Sequence, residues 1–365
     1  MASSPGTIAA LSQQLDDFFT RQRRAIAEFG SEATLLMDAA ADAVVGGKRL
    51  RARFCFTGFA SVAEMSSVGT PDIPASVIGV GAALEVFHAA ALVHDDLIDN
   101  SDTRRGRPAA HRRLQSLHRT ASWDGDAAAF GRAGGILVGD LLVALSDDLM
   151  ERSLLAEPAE IAAATRAQYA TMRRDVTIGQ FLDVAEESAH VDADDSEHAH
   201  RALRVASLKS ARYSVEQPLL IGARLAGADA AQLKALADFG HPVGLAFQLR
   251  DDVLGVFGDT EVTGKPAGDD LREGKRTVLI AYAREALAPT ARRIMDELVG
   301  DPDLDDAQVA ALRRTIEDSG ALERVETLIS EYAADADRAL RGAPLGNAAV
   351  AQLRDLARDA VVRSA

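Results

Sequence analysis

A single cysteine, Cys55, stands among 365 residues. It has no partner for an internal disulfide, which fits a reducing compartment, and it rules out a thiolate-rich zinc cluster. Basic residues are also scarce, 40 Lys and Arg against 55 Asp and Glu, for a net charge of −15. Most of such a surface repels a phosphate backbone, so nucleic acid is not an expected partner and any phosphate site must be local. Short alternating runs of Val, Ile and Thr of the strand type are nearly absent, which argues against a sheet. The opening stretch MASSPGTIAALSQQ has no basic segment followed by a continuous apolar run. No segment reads as the 18 or more apolar residues that a bilayer crossing needs, so the expectation is a cytoplasmic chain without a membrane span.

What the chain does have is 47% hydrophobic and 26% charged residues, the balance of a globular protein with a sizeable core. Ala, Leu, Arg and acidic residues recur at helical spacing almost throughout, which predicts an all-α protein. Helices are expected over residues 7–28, 31–46, 48–66, 74–101, 131–153, 157–186, 196–226, 229–257, 275–299, 305–317, 320–341 and 345–363. Two irregular stretches, 102–130 and 258–274, each follow an acidic helix end. Long loops in compact domains are often functional, and their neighbours here favour that reading.

The first acidic end is His94-Asp95-Asp96-Leu97-Ile98-Asp99. Asp95 and Asp99 lie one helical turn apart on one face, where two carboxylates can share hard divalent cations. An isolated DDxxD is more often a solvated helix end, but negative charge at a helix C-terminus opposes the macrodipole, and a cation would relieve that conflict. His88 lies on the same face, seven residues or about 10 Å below Asp95. Gly46-Gly47-Lys48-Arg49-Leu50-Arg51 opens a helix with glycines and cations, a natural anion site, and Arg104-Arg105 adds two more positive charges beyond the acidic end. The second acidic end, Gln248-Leu249-Arg250-Asp251-Asp252, places Gln248, Asp251, Gly255 and, if the helix persists, Asp259 on one face. Lys265, Asp269, Asp270 and Lys275 follow in a mixed-charge loop. Two acidic ends facing each other over an apolar interior make a site for a molecule with a charged head and a greasy tail.

From about Asp42 to Arg363 the sequence resembles the trans-isoprenyl diphosphate synthases. The resemblance is carried, in the family's order, by GGKRLR, HAAALVHDDLIDNSDTRRG, GDLL at 139–142, QFLD at 180–183, KSARYS at 209–214, FQLRDD at 247–252 and GKPAGDDLREGKRT at 264–277. It implies a large helical bundle around a central apolar cavity, with residues 1–41 as a helical segment packed on a domain spanning 42–363. It also implies a homodimer and dependence on Mg²⁺, three ions with substrate bound, with Mn²⁺ able to substitute.

By the same resemblance Asp95, Asp99 and Asp251 hold the metal, supported by Asp96 and Asp252. Arg104, Lys209 and Lys265 contact the allylic diphosphate; Lys48, Arg51, His88 and Arg105 hold isopentenyl diphosphate. Gln248 and Ser210 border the developing carbocation, with Tyr213 nearby, and Ser210 keeps the hydroxyl of the threonine usual there. The second motif departs from the pattern, since Gly255 stands in place of its last aspartate.

In the family, bulk four or five residues before the first aspartate stops the growing chain. Ala91 and Ala90 occupy those positions here and Phe87 is the nearest floor, which predicts geranylgeranyl diphosphate, with farnesyl diphosphate the alternative. A class I terpene cyclase would share the fold but needs no second diphosphate site. A non-catalytic partner subunit would be expected to lose the first motif or the cations, and this chain keeps both.

Overall fold

The computed structural model describes residues 5–66, 71–190, 194–258 and 268–361. The first two helices are α1 (Pro5–Ala25) and α2 (Ser31–Val44), followed by α3 (Leu50–Ala63) and the long apolar α4 (Ala75–Ile98). Next come α5 (Ala110–Thr120), α6 (Ala127–Leu154), α7 (Ala159–Ala189) and α8 (His198–Val205). A π-helical segment, Ala206–Glu216, runs without a break into α9 (Gln217–Leu225). The chain continues through α10 (Ala230–Phe257), α11 (Asp269–Glu273), α12 (Val278–Ala286), α13 (Pro289–Leu298), α14 (Asp306–Asp318), α15 (Ala321–Ala339) and α16 (Asn347–Val361). Among the described residues the only strands are a two-residue hairpin, Thr103–Arg104 paired with Arg107–Pro108.

α4 is the axis of the fold. Apolar residues cover nearly its whole circumference, the pattern of a helix buried on all sides, and it packs along α6, α3 and α1. Leu11, Leu15, Phe18 and Phe19 of α1, and Met37 and Ala40 of α2, share one core cluster with Leu84, Phe87 and Ala90 of α4. A second cluster joins the end of α10 to α12, α14 and α15, and a third joins α9 and the middle of α10 to α16.

Several expectations need correction. The stretch 102–130 is not irregular throughout, because α5 lies within it; its inward face carries His111, Gln115 and His118 beside Leu114, so apolar periodicity does not reveal it. The helix expected over 275–299 is two, with the break before Pro289, which cannot continue α12 and starts α13 at its first position. Of the loop expected over 258–274, residues 259–267, including Asp259 and Lys265, lie outside the described residues, and the rest contains α11. The expectation that no segment is apolar enough to cross a membrane also fails, since α4 and α6 both have the length and composition. Alanine- and glycine-rich stretches with few charges meet that test. α4 is mostly buried in the protein, whereas only about a third of the apolar stretch of α6 is covered.

The π segment is wider than an α-helix, and two glycines accommodate it. A Cβ on Gly179 of α7 would lie 2.4 Å from the Lys209 nitrogen, and one on Gly244 of α10 would lie 2.4 Å from the Ala211 carbonyl oxygen. The backbones therefore touch on both sides of the segment that carries Lys209, Ser210, Tyr213 and Ser214.

Candidate active site

The start of α3, the C-terminal half of α4, the π segment, α10 and residues 269–277 enclose a cavity of about 1140 Å³. It is lined by residues from both acidic motifs, Asp95 on one side and Gln248, Asp251, Asp252 and Gly255 on the other, and by Lys48, Arg51, His88, Arg104, Arg105, Lys209 and Ser210. The structure thus brings the described residues expected at the diphosphate sites onto one cavity, except Asp96 and Asp99, which do not line it. Asp99 caps α4 and is covered by Lys275, whose ammonium donates to its Oδ2 at 3.0 Å. Phe87, Ala90 and Ala91 lie further back along α4 in or against its core cluster; Phe87 packs edge-on against Tyr169 and Tyr213.

Around Asp95 the groups interlock. Gln180 of α7 donates to its Oδ1 at 3.1 Å, and the Lys209 ammonium lies 3.5 Å from the same oxygen while donating to Asp183 at 2.5 Å. Arg104 reaches back from the hairpin to Asp96, 2.7 Å from Nε, and to Asp95 at 3.5 Å. Burial works against the Asp95 charge, but Lys209, Lys275 and Arg104 outweigh it and hold the carboxyl below its usual range. Asp99 goes the other way, raised by burial and by Asp95 and Glu273, which together outweigh Lys275 and Lys209. On α10, Gln248 donates to Asp252 at 2.6 Å. Burial, with Asp270, Asp251 and Asp183 nearby, pushes Asp252 up to about 8, and Glu187 rises to about 7 through burial beside Asp183 and Asp99.

This crowding of carboxylates at a cavity mouth is what a site for multivalent cations requires. Among the described residues no three or more His, Cys, Asp or Glu side chains converge as a complete metal cage. Separate carboxylates, each leaving most positions to water and phosphate oxygens, match the way Mg²⁺ is usually held. Where the second motif lacks its last aspartate, a Cβ on Gly255 would lie 1.9 Å from Asp270 Oδ2. The Asp270 carboxylate fills the space that a side chain at 255 would take.

On the opposite wall Arg51 is buried, stacks 4.1 Å over the Tyr213 ring and donates from Nη2 to Ser214 at 2.7 Å. Its Nε has no hydrogen-bond partner among the described residues. Arg105 lies against Gly47, where a Cβ would come within 2.8 Å of its guanidinium. His88 Nδ1 is 3.3 Å from the Tyr213 hydroxyl. Burial and the cations of Arg51, Arg105, Arg104 and Arg49 push the His88 pKa well down, so it is a neutral imidazole.

The profile of the polyprenyl synthetase family matches residues 33–316. The chain belongs to that family. As a polyprenyl synthetase it is a prenyltransferase of the trans-isoprenyl diphosphate synthase type, a class that lengthens isoprenoid chains with Mg²⁺. A solved geranylgeranyl pyrophosphate synthase from Corynebacterium glutamicum, complexed with isoprenyl diphosphate and magnesium, superposes with a TM-score of 0.91 at 36% identity, covering 98% of this chain and 99% of that one. A geranylfarnesyl diphosphate synthase from Aeropyrum pernix is 32% identical over 87% of this chain and 90% of its own length. A farnesyl diphosphate synthase from Geobacillus stearothermophilus is 31% identical over 76% and 86%. Relatives with different products are thus about equally similar, and overall identity does not select a chain length.

Sequence reasoning named Lys275 and Asp270 only as parts of a mixed-charge loop and Gln180 and Asp183 only within QFLD, without their partners, and it missed Glu85. QFLD stands out as a motif, but its role depends on Asp95 and Lys209, which lie far away in sequence. Lys275 reads as ordinary loop charge until α11 folds it onto Asp99.

Proposed function

We propose that this polyprenyl synthetase condenses isopentenyl diphosphate head to tail with an allylic diphosphate, giving mainly geranylgeranyl diphosphate. The observation that carries this reading is the presence of two cation sets around one cavity. Lys209 and Arg104 stand with the acidic motifs, and Lys48, Arg51 and Arg105 stand with neutral His88. One set suits a diphosphate bound with metal, the other a diphosphate bound by cations alone. A terpene cyclase would use only the first.

In the reaction the allylic C–O bond breaks and its electron pair leaves with the diphosphate. The isopentenyl double bond attacks the cation, forming a C–C bond, and a proton is then lost to the released diphosphate. Asp95, Asp99 and Asp251 would hold Mg²⁺, three ions with both substrates in place, and bound there it neutralises the departing diphosphate. Lys209 and Arg104, with Lys265, take up charge on the leaving group. Gln248 and the Ser210 hydroxyl, both on the cavity wall, border the cation with their oxygen atoms. The enclosing helices keep water from it. Incubating the purified protein with isopentenyl diphosphate and dimethylallyl, geranyl or farnesyl diphosphate, with and without Mg²⁺, tests the reading; no condensation under any condition would refute it.

Chain length rests on the small residues of α4. Ala91→Phe is expected to shift the main product to a shorter prenyl diphosphate on product chromatography, and an unchanged product would move the floor to neighbouring helices. At the second motif, Gly255→Asp is expected to weaken metal binding by displacing Asp270, raising the Mg²⁺ requirement about 10-fold in a metal titration. A lower requirement would instead show that the position simply lacks a ligand.

We assign the active form as a homodimer in the cytoplasm. Ile136 and Leu137 of α6 and Ile178 and Phe181 of α7 are exposed apolar side chains, the kind of surface a second copy would cover. Sedimentation should give twice the mass of one chain, and an aspartate at Leu137 should yield monomers.

A further inference from the structure

The turn that presents Lys48 and Arg51 is strained. Gly46 and Gly47 have φ of 83° and 84°, and Arg49, which carries a side chain, has φ of 53°. Arg49 is also the N-cap of α3, and it makes no side-chain capping bond. An arginine has no acceptor with which to make one. The acceptor comes from another helix. Glu85 of α4 takes the Ala52 N–H, in the first turn of α3, on Oε1 at 3.1 Å, and its Oε2 lies 3.6 Å from the Arg49 guanidinium. Glu85 is only 4% exposed and still lines the cavity.

A buried carboxylate beside Lys48, Arg51 and Arg105 repels any diphosphate docked there. Its presence calls for a gain that exceeds the repulsion. The cap and the Arg49 pair supply it, because together they hold Arg49, a residue with a side chain, in the left-handed region.

We propose that Glu85 is a positioning residue for isopentenyl diphosphate: from α4 it caps α3 and clamps Arg49, fixing the turn that places Lys48 and Arg51 at the cavity. The proposal rests on the assignment of this wall to the second diphosphate. It also explains a glutamate in the otherwise apolar run of α4, one turn before His88.

The test is steady-state kinetics with both substrates varied, on Glu85→Ala, Glu85→Gln and Lys48→Ala, with thermal denaturation alongside. Glu85→Ala should raise KM for isopentenyl diphosphate at least about 10-fold, with KM for the allylic substrate and kcat within about 3-fold. Glu85→Gln, which keeps an acceptor for the Ala52 N–H, should recover part of that loss. If the alanine variant does not fold, a rise of about 3-fold or more in the glutamine variant supports the proposal. An unchanged or lower KM for isopentenyl diphosphate would overturn it, as would parallel changes in both KM values and kcat that follow thermal stability alone. Lys48→Ala separates the two levels. If it leaves that KM unchanged, the site assignment itself fails; if it raises KM while the Glu85 variants do not, only the positioning role fails.

Discussion

Replacing Asp95 by alanine is expected to lower kcat/KM by at least about 10²–10³ while leaving the helical fold intact. The size of the effect follows from the number of groups that converge there. Gln180, Lys209 and Arg104 all approach this carboxylate, at 3.1, 3.5 and 3.5 Å. Alanine would remove the proposed metal ligand and leave three donors without their shared acceptor. Asp95→Asn keeps the acceptor but not the charge, so a comparable loss in that variant identifies the charge as the essential property. Steady-state rates at saturating Mg²⁺, with circular dichroism as the fold control, provide the measurement. A loss below about tenfold in the alanine variant would remove Asp95 from the metal-holding set.

Gly244→Val should be nearly as damaging, through packing. Its first added carbon would lie 2.4 Å from the Ala211 carbonyl oxygen and 2.5 Å from Ala211 Cα. Both atoms are backbone, so the conflict cannot be relieved by a rotamer change, and the π segment must move away from α10. Overpacking of this kind costs about 3 kcal/mol, which for a chain of this size lowers the melting temperature by roughly 4 °C. Because the displaced segment carries Lys209 and Ser210, kcat/KM should fall at least about tenfold as well. A variant with normal melting and normal rates would show that the segment's fit against α10 does not matter.

The sequence made legible whatever depends on the helical repeat. Asp95 with Asp99 and His88, and Gln248 with Asp251, are each fixed relative to one another by residues per turn, so their shared faces can be read before any fold is known; Lys48 and Arg51, expected on one helical face, are not, because α3 begins at Leu50 and Arg49 between them is left-handed. Pairings between helices are not fixed in that way. Glu85 sits in an apolar run and gives no sign that its partners are Ala52 and Arg49. Asp183 gives no sign of Lys209, and Lys275 none of Asp99. α5 escaped detection for a related reason: its inward face carries polar residues, two of which find partners, Gln115 with Arg112 and His118 with the Asp124 carbonyl, so burial there leaves no apolar pattern. Gly255 read as a lost ligand, and only the position of Asp270 shows that the space is used.

The π segment also sets how far this chain tolerates changes in length. A wider turn carries an additional residue compared with α geometry, so α8 and α9 are phased to each other only while all of 206–216 is present. Deleting one residue within it would either tighten the backbone into an α-helix and pull it away from Gly179 and Gly244 or, if it stayed wide, swing the following side chains by about 100°, the angle per residue of an α-helix. Either way Ser214 would shift on the cavity wall and, with Tyr213, loosen its hold on Arg51. A gap placed inside this stretch when the chain is aligned with another therefore marks a change in the site, whereas a gap of the same size between α13 and α14 would fall in a connector.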